Sequence, residues 1–65
     1  MRNWLTEKRV GYGMTKTTLA DLAGVHVSAI GKYEQGLRTP RMATARRIAV
    51  VLAFDWTRFY EEARQ

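Results

Sequence analysis

Residues 15–36 read TKTTLADLAGVHVSAIGKYEQG, and the spacing within this stretch decides the fold. Thr15 stands where a helix N-cap belongs, and its hydroxyl can accept one of the backbone N–H groups that a first turn leaves without a partner. Met14 before it and Leu19 after it are placed as a hydrophobic staple. Counting Lys16 as position one, Ala20 falls at five, Gly24 at nine and Ile30 at fifteen. A small side chain at Ala20 lets a second helix cross the first closely, Gly24 permits positive φ in a tight turn, and Ile30 anchors the second helix in a core. Leu19, Ala23, Val25 and Tyr33 fill the seam, and Gly36 suits the left-handed residue just past a helix end. The stretch predicts helix, tight turn, helix.

Outside it, Gly11-Tyr12-Gly13, the segment from Gly36 to Pro40, and Phe54-Asp55 divide the remaining chain, giving five helical segments in all. Between the breaks apolar residues recur at helical spacing: Leu19, Leu22 and Ala23, then Ile30 and Tyr33, then Ala45, Ile48, Ala49 and Leu52. Strand alternation is absent. Val25 before His26, with Ile30 later, repeats the staple pattern, although His is a poorer cap than Ser or Thr. Thr39-Pro40 is expected to cap and open the fourth helix, because Pro at the first helical position loses no hydrogen bond. Phe54, Asp55 and Phe59 are placed as staple and cap of the fifth. No repeat, low-complexity tract or linker interrupts the pattern, so residues 1–65 read as a single all-α domain of five helices, with the helix-turn-helix at the second and third.

A chain of 65 residues buries only about 60% of the surface its unfolded form exposes, so stability is expected to be marginal. With no cysteine and one histidine, His26, neither a disulfide framework nor a metal site is expected to staple the core. No apolar run approaches a membrane span and the first residues lack the apolar stretch of a signal peptide, which points to the cytoplasm and to no membrane partner. The formal net charge is +5, implying acidic partners. Its distribution is uneven: residues 1–54 carry nine basic and three acidic side chains, residues 55–65 two and three. Paired carboxylates, a nucleophile with its base, a phosphate loop and a metal-ligand set are all lacking, so no enzyme activity or cofactor is implied. The aromatic-bearing strands or glycine clamp loop typical of RNA binders are lacking as well.

With Met14-Thr15-Lys16, Leu19-Ala20, Gly24-Val25, then Ile30, Lys32, Glu34, Gly36 and Pro40, and finally Ile48-Ala49 and Leu52, the chain resembles the Cro/repressor-type, or xenobiotic-response-element, helix-turn-helix family over nearly all its length. Phe54-Asp55-Trp56 resembles the ending of small phage-element and Gram-positive members. The resemblance implies a phage or bacterial transcriptional regulator, most simply a repressor occupying an operator on double-stranded DNA, in the bacterial cytoplasm or nucleoid. Three positions depart from the family pattern. Lys16 replaces a usual Gln, keeping a phosphate role but losing the bracing of a recognition-helix side chain. Ala53 replaces a frequent Gly, which points to a different end for the fourth helix. Gly31 sits in the middle of the recognition helix, where Gly costs about 0.5–1 kcal/mol relative to Ala but lets a backbone approach DNA closely.

A recognition helix places its N-terminal residues at base edges in the major groove, which makes Val27, Ser28, Gly31 and Lys32 the base-reading candidates. Val27 suits a thymine methyl, Ser28 either base class, and Lys32 guanine O6 and N7; the alternative for each is a plain solvated face. Lys16 and Thr17 at one helix start, and His26 at the next, are candidates for phosphate, as are Arg38 and Arg41 beside Pro40. Ordinary solubility charge is the competing reading of the arginines, and the one preferred for Arg46 and Arg47. The resemblance implies an ion pair between Arg9 and Glu34 that orients the first helix against the end of the recognition helix. Phe54 and Phe59 are expected to seal the bundle; Phe54, Trp56 and Tyr60 are the candidates for contact across a two-fold axis in a homodimer. The competing function is a protein-interaction module, an antitoxin or adaptor that keeps the fold and binds a partner through the aromatic end. An acidic recognition-helix face would favour it, and this sequence has none. No small-molecule ligand is implied.

Overall fold

The local signals of the 15–36 stretch are realised in backbone geometry. A computed structural model describes residues 1–61, which form α1 (Asn3–Gly11), α2 (Lys16–Ala23), α3 (Val27–Gln35), α4 (Met42–Leu52) and α5 (Arg58–Glu61). There is no strand among the described residues, and no helix there is long and apolar enough to cross a membrane. Thr15, extended at ψ 166°, accepts from the Thr18 N–H at 3.1 Å and so satisfies one of the orphan donors of α2. Gly24 takes the left-handed conformation at φ 69°. The Val25 N–H then reaches back to the Ala20 carbonyl at 3.0 Å and the Gly24 N–H to Asp21, the paired bonds of a Schellman turn. His26 caps α3 through its ring: Nδ1 accepts from the Ser28 N–H at 3.1 Å.

Two helix ends and one apolar position differ from expectation. α4 does not open at Pro40; its N-cap is Arg41, with no side-chain cap bond, and its first residue is Met42. The cause lies in competing partners. The Thr39 hydroxyl accepts from the Arg2 guanidinium, and the Pro40 carbonyl accepts from the Tyr60 hydroxyl. Neither is left to begin the helix. Ala53 does not change how α4 ends: it adopts φ 56° and ψ 55°, and the Phe54 N–H bonds to the Ala49 carbonyl as a glycine-ended helix would allow. An L-residue in that region costs about 1–2 kcal/mol, held in place by what Phe54 packs against. Leu22, read with the core period, is 59% exposed. The buried face of α2 is Leu19, Ala20 and Ala23, and Leu22 instead edges a shallow apolar groove with Val50 and Val51 of α4.

The core is built on α2, which packs against α3 and α4, while α1 packs against α3. Leu5, Leu19, Ile30, Ile48, Leu52 and Phe59 are its large, fully buried side chains. Each contributes about 1.5–3 kcal/mol by burial, more than any surface contact of α3 offers. The inward position of Ile30 therefore fixes the rotation of that helix. At the far end Trp4, Phe54 and Phe59 form a ring cluster with centroids 5.1–5.6 Å apart and tilted or edge-on planes, tying α1 to the C-terminal segment. Phe59 is buried and Phe54 half-buried within it.

Candidate nucleic-acid interface

Because Ile30, Tyr33 and Glu34 face inward, helical geometry turns Ser28 and Lys32 outward, while Val27, one turn before Ile30 and at the edge of the inward face, is exposed because it stands at the start of the helix. Val27 is 39% exposed in the first turn, so part of its apolar surface stays open to solvent beside Ser28. Gly31 is half-buried on the same helix, and a Cβ there would meet nothing within 4 Å. Its presence answers no packing demand inside the chain. The Ser28 hydroxyl lies 2.8 Å from His26 Nδ1, so the two side chains form one polar unit at the start of α3. Since Nδ1 accepts the Ser28 backbone N–H, the neutral ring carries its proton on Nε2, facing away from the cap.

Lys16 and Thr17 are exposed at the first two positions of α2, where backbone N–H groups have no intrahelical acceptor and the helix dipole favours an anion. Arg38 and Arg41 are exposed on the segment joining α3 to α4. The one acidic residue of α3, Glu34, is buried, which leaves the outer face of that helix without a negative group. Arg46 is exposed, and its guanidinium lies 4.9 Å from the Trp56 ring centroid, within cation–π range.

Arg9 and Glu34 form a buried, two-pronged ion pair. Arg9 Nε donates to Glu34 Oε2 at 2.6 Å and an Nη donates to Oε1 at 3.2 Å. Arg9 also donates to the Met14 carbonyl at 2.8 Å, and the Thr6 hydroxyl donates to Glu34 Oε1 at 2.8 Å. α1, the α1–α2 turn and the end of α3 thus share one network.

Sequence reasoning passed over Arg2. It is 5% exposed, and its backbone N–H donates to the Glu34 carbonyl at 2.8 Å. Its guanidinium donates to the carbonyls of Tyr33 and Arg38 and to the Thr39 hydroxyl, each at 2.7 Å. Backbone carbonyls more than thirty residues away leave no side-chain pattern to read. The available hint was negative: α1 opens without a Ser, Thr, Asp or Asn cap, so another residue has to hold its start.

Among the candidates for two-fold contact, Phe54 and Trp56 are half-buried against the core, and Trp56 and Tyr60 meet edge to face at 5.8 Å. Tyr60 is half-buried too, and its hydroxyl donates to the Pro40 carbonyl at 2.6 Å.

Comparison with known proteins places these features in a wider set. A family model described as Helix-turn-helix matches residues 5–59. An uncharacterized HTH-type transcriptional regulator of Bacillus subtilis (strain 168), YqaF, is 34% identical over 62 residues, covering 95% of this chain and 82% of that protein. No solved structure matches the chain.

Proposed function

The chain belongs to the Cro/XRE-type helix-turn-helix family of DNA-binding transcriptional regulators, and on that premise we propose that it acts as a repressor, occupying an operator as a homodimer in the bacterial cytoplasm or nucleoid. In this reading α3 enters the major groove and α2 crosses the adjacent backbone. Val27, Ser28, Gly31 and Lys32 read base edges. Lys16, Thr17, His26, Arg38 and Arg41 hold phosphates on either side, and the Arg9–Glu34 pair fixes the angle at which α3 is presented.

The observation that carries the reading is the pairing of a fully buried Ile30 with an exposed Val27 in the first turn of the same helix. Valine offers no hydrogen bond to water, but it offers methyl groups to a thymine in the groove. An antitoxin or adaptor would need a recognition surface elsewhere, and the exposed cations around α3 would then be idle. The homodimer is supported by the aromatic end at Phe54, Trp56 and Tyr60, which stays partly accessible, and by the two-fold symmetry of operators read by such dimers.

Titrating random-sequence duplex at several salt concentrations tests the backbone part of this reading. Neutralising Lys16, Arg38 or Arg41 is expected to lower the slope of log K against log salt by about one unit each. An unchanged slope for all three variants would remove them from the interface.

A further inference from the structure

The segment that joins α3 to α4 carries Arg38 and Arg41, yet it has no regular secondary structure of its own from residue 37 to residue 41. A loop of that kind is ordinarily mobile, and a mobile loop pays an ordering cost when it binds. Here it is gripped from two sides by residues from opposite ends of the described chain. On one side the Arg2 guanidinium bridges the Tyr33 carbonyl, at the end of α3, to the Arg38 carbonyl, at the middle of the loop, and a second nitrogen takes the Thr39 hydroxyl. On the other side the Tyr60 hydroxyl takes the Pro40 carbonyl, and Pro40 itself is buried. The two grips lie near each other, since the Arg2 guanidinium is 5.6 Å from the ring centroid of Phe59, the neighbour of Tyr60.

The grip acts on backbone carbonyls and on Thr39 while leaving the side chains of Arg38 and Arg41 exposed. A planar guanidinium with several fixed donors can hold two carbonyls and a hydroxyl at once, which a lysine ammonium on a flexible stem cannot do with the same geometry. From this we infer that Arg2 and Tyr60 form a clamp that sets the α3–α4 loop in its DNA-backbone-binding conformation before DNA arrives, making both positioning residues for the contacts of Arg38 and Arg41. The inference rests on the DNA-binding reading above. It also gives Tyr60 a role within the chain, one that a partner at the aromatic end would have to leave intact.

Arg2→Lys and Tyr60→Phe test it, the second removing a single oxygen and leaving the ring in place. Two readouts are needed, on variants shown by circular dichroism to be folded. Without DNA, backbone 15N order parameters of Leu37, Arg38, Thr39 and Arg41 should sit near the rigid value of about 0.85 in the wild type and fall toward about 0.6 in either variant. α2 should not change. With random duplex DNA, either variant should lower the salt slope by about one to two units, because two phosphate contacts lose their fixed geometry. Adding Arg38→Ala to Arg2→Lys should then change the slope far less than it does in the wild type.

Order parameters and slope both at wild-type values in the two variants would overturn the clamp. So would a loosened loop with an unchanged slope, or an Arg38→Ala effect of full size in the Arg2→Lys background. A wild type that binds no duplex defeats the DNA-binding reading instead, and the positioning role with it; the order parameters then report only whether the loop is held.

Discussion

Arg9→Ala should come close to unfolding this protein. The Arg9 and Glu34 side chains are 11% and 4% exposed, so their pairing is only weakly screened by water and belongs with buried rather than surface ion pairs. Removing Arg9 strips Glu34 of both guanidinium contacts and leaves it the Thr6 hydroxyl alone among its side-chain partners on these elements. Breaking a buried pair from one side costs about 3–5 kcal/mol, because a charge is left without compensation. A domain of this length has about 3–10 kcal/mol of total stability, at about 0.05–0.15 kcal/mol per residue. The loss is therefore between a third and all of it. At about 4–8 °C per kcal/mol for a domain of this size, Tm should fall by more than about 12 °C. Urea and thermal melts of Arg9→Ala, Glu34→Ala and the double variant measure the coupling directly. The double variant should be less destabilised than the sum of the singles, and Arg9→Met with Glu34→Leu should recover much of the loss by removing both charges together. Strictly additive effects, each below about 1 kcal/mol, would match an exposed pair and refute this account of how α1 is joined to α3.

Other outcomes follow from single features. Ala53→Gly should stabilise the protein by about 1 kcal/mol, since glycine occupies the left-handed region without the Cβ penalty, and raise Tm by about 4–8 °C; a Tm at or below that of the wild type would contradict the strain assigned to Ala53. The Asp55 carboxyl is held below its ordinary value, first by the Thr57 backbone N–H and then by the Thr57 hydroxyl, with slight desolvation opposing. Its folded-state pKa is thus lower than its unfolded one, so its contribution is complete above the unfolded value and is lost as pH falls through the folded one. The Tm gap between wild type and Asp55→Asn should accordingly narrow as pH is taken from neutral to below about 4, and a gap that stays constant across that range would show that the charge-assisted bonds from Thr57 are not what Asp55 supplies.

What was legible in the sequence was local. The Thr15 cap, the left-handed Gly24 and Gly36 and the inward Ile30 each act within a few residues of themselves, so residue type and spacing carry the information. The Arg9–Glu34 pair was visible only through resemblance, because 25 residues separate its members and no periodicity links them. Where the reading failed, a distant partner had taken a local signal. Thr39-Pro40 looks like a helix start, but Arg2 and Tyr60 occupy the groups that would have made it one. Ala53 lacks the glycine signal for a left-handed cap, yet the cluster of Trp4, Phe54 and Phe59 that follows it directs the chain through the same turn. Leu22 fits the helical period but lies just outside the buried face of Leu19, Ala20 and Ala23, at the margin of the α2–α4 contact, where it edges an open groove with Val50 and Val51.

The central claim is that α3 reads bases, and selection of bound sites from random duplex DNA by the wild type and by Val27→Gln tests it most directly. The wild type should enrich a sequence with two related half-sites, since dimers of this motif read operators symmetric about their centre. Val27→Gln should change the preferred base at one position in each half, exchanging a thymine for an adenine contact, with a discrimination of about 1–3 kcal/mol visible against single-base variants. Affinity for random DNA should hardly move, because Val27 contributes nothing to phosphate binding. If the wild type enriches no sequence, or if the folded Val27→Gln protein selects the same sites as the wild type, the exposed first turn of α3 is not a reading surface and the account fails.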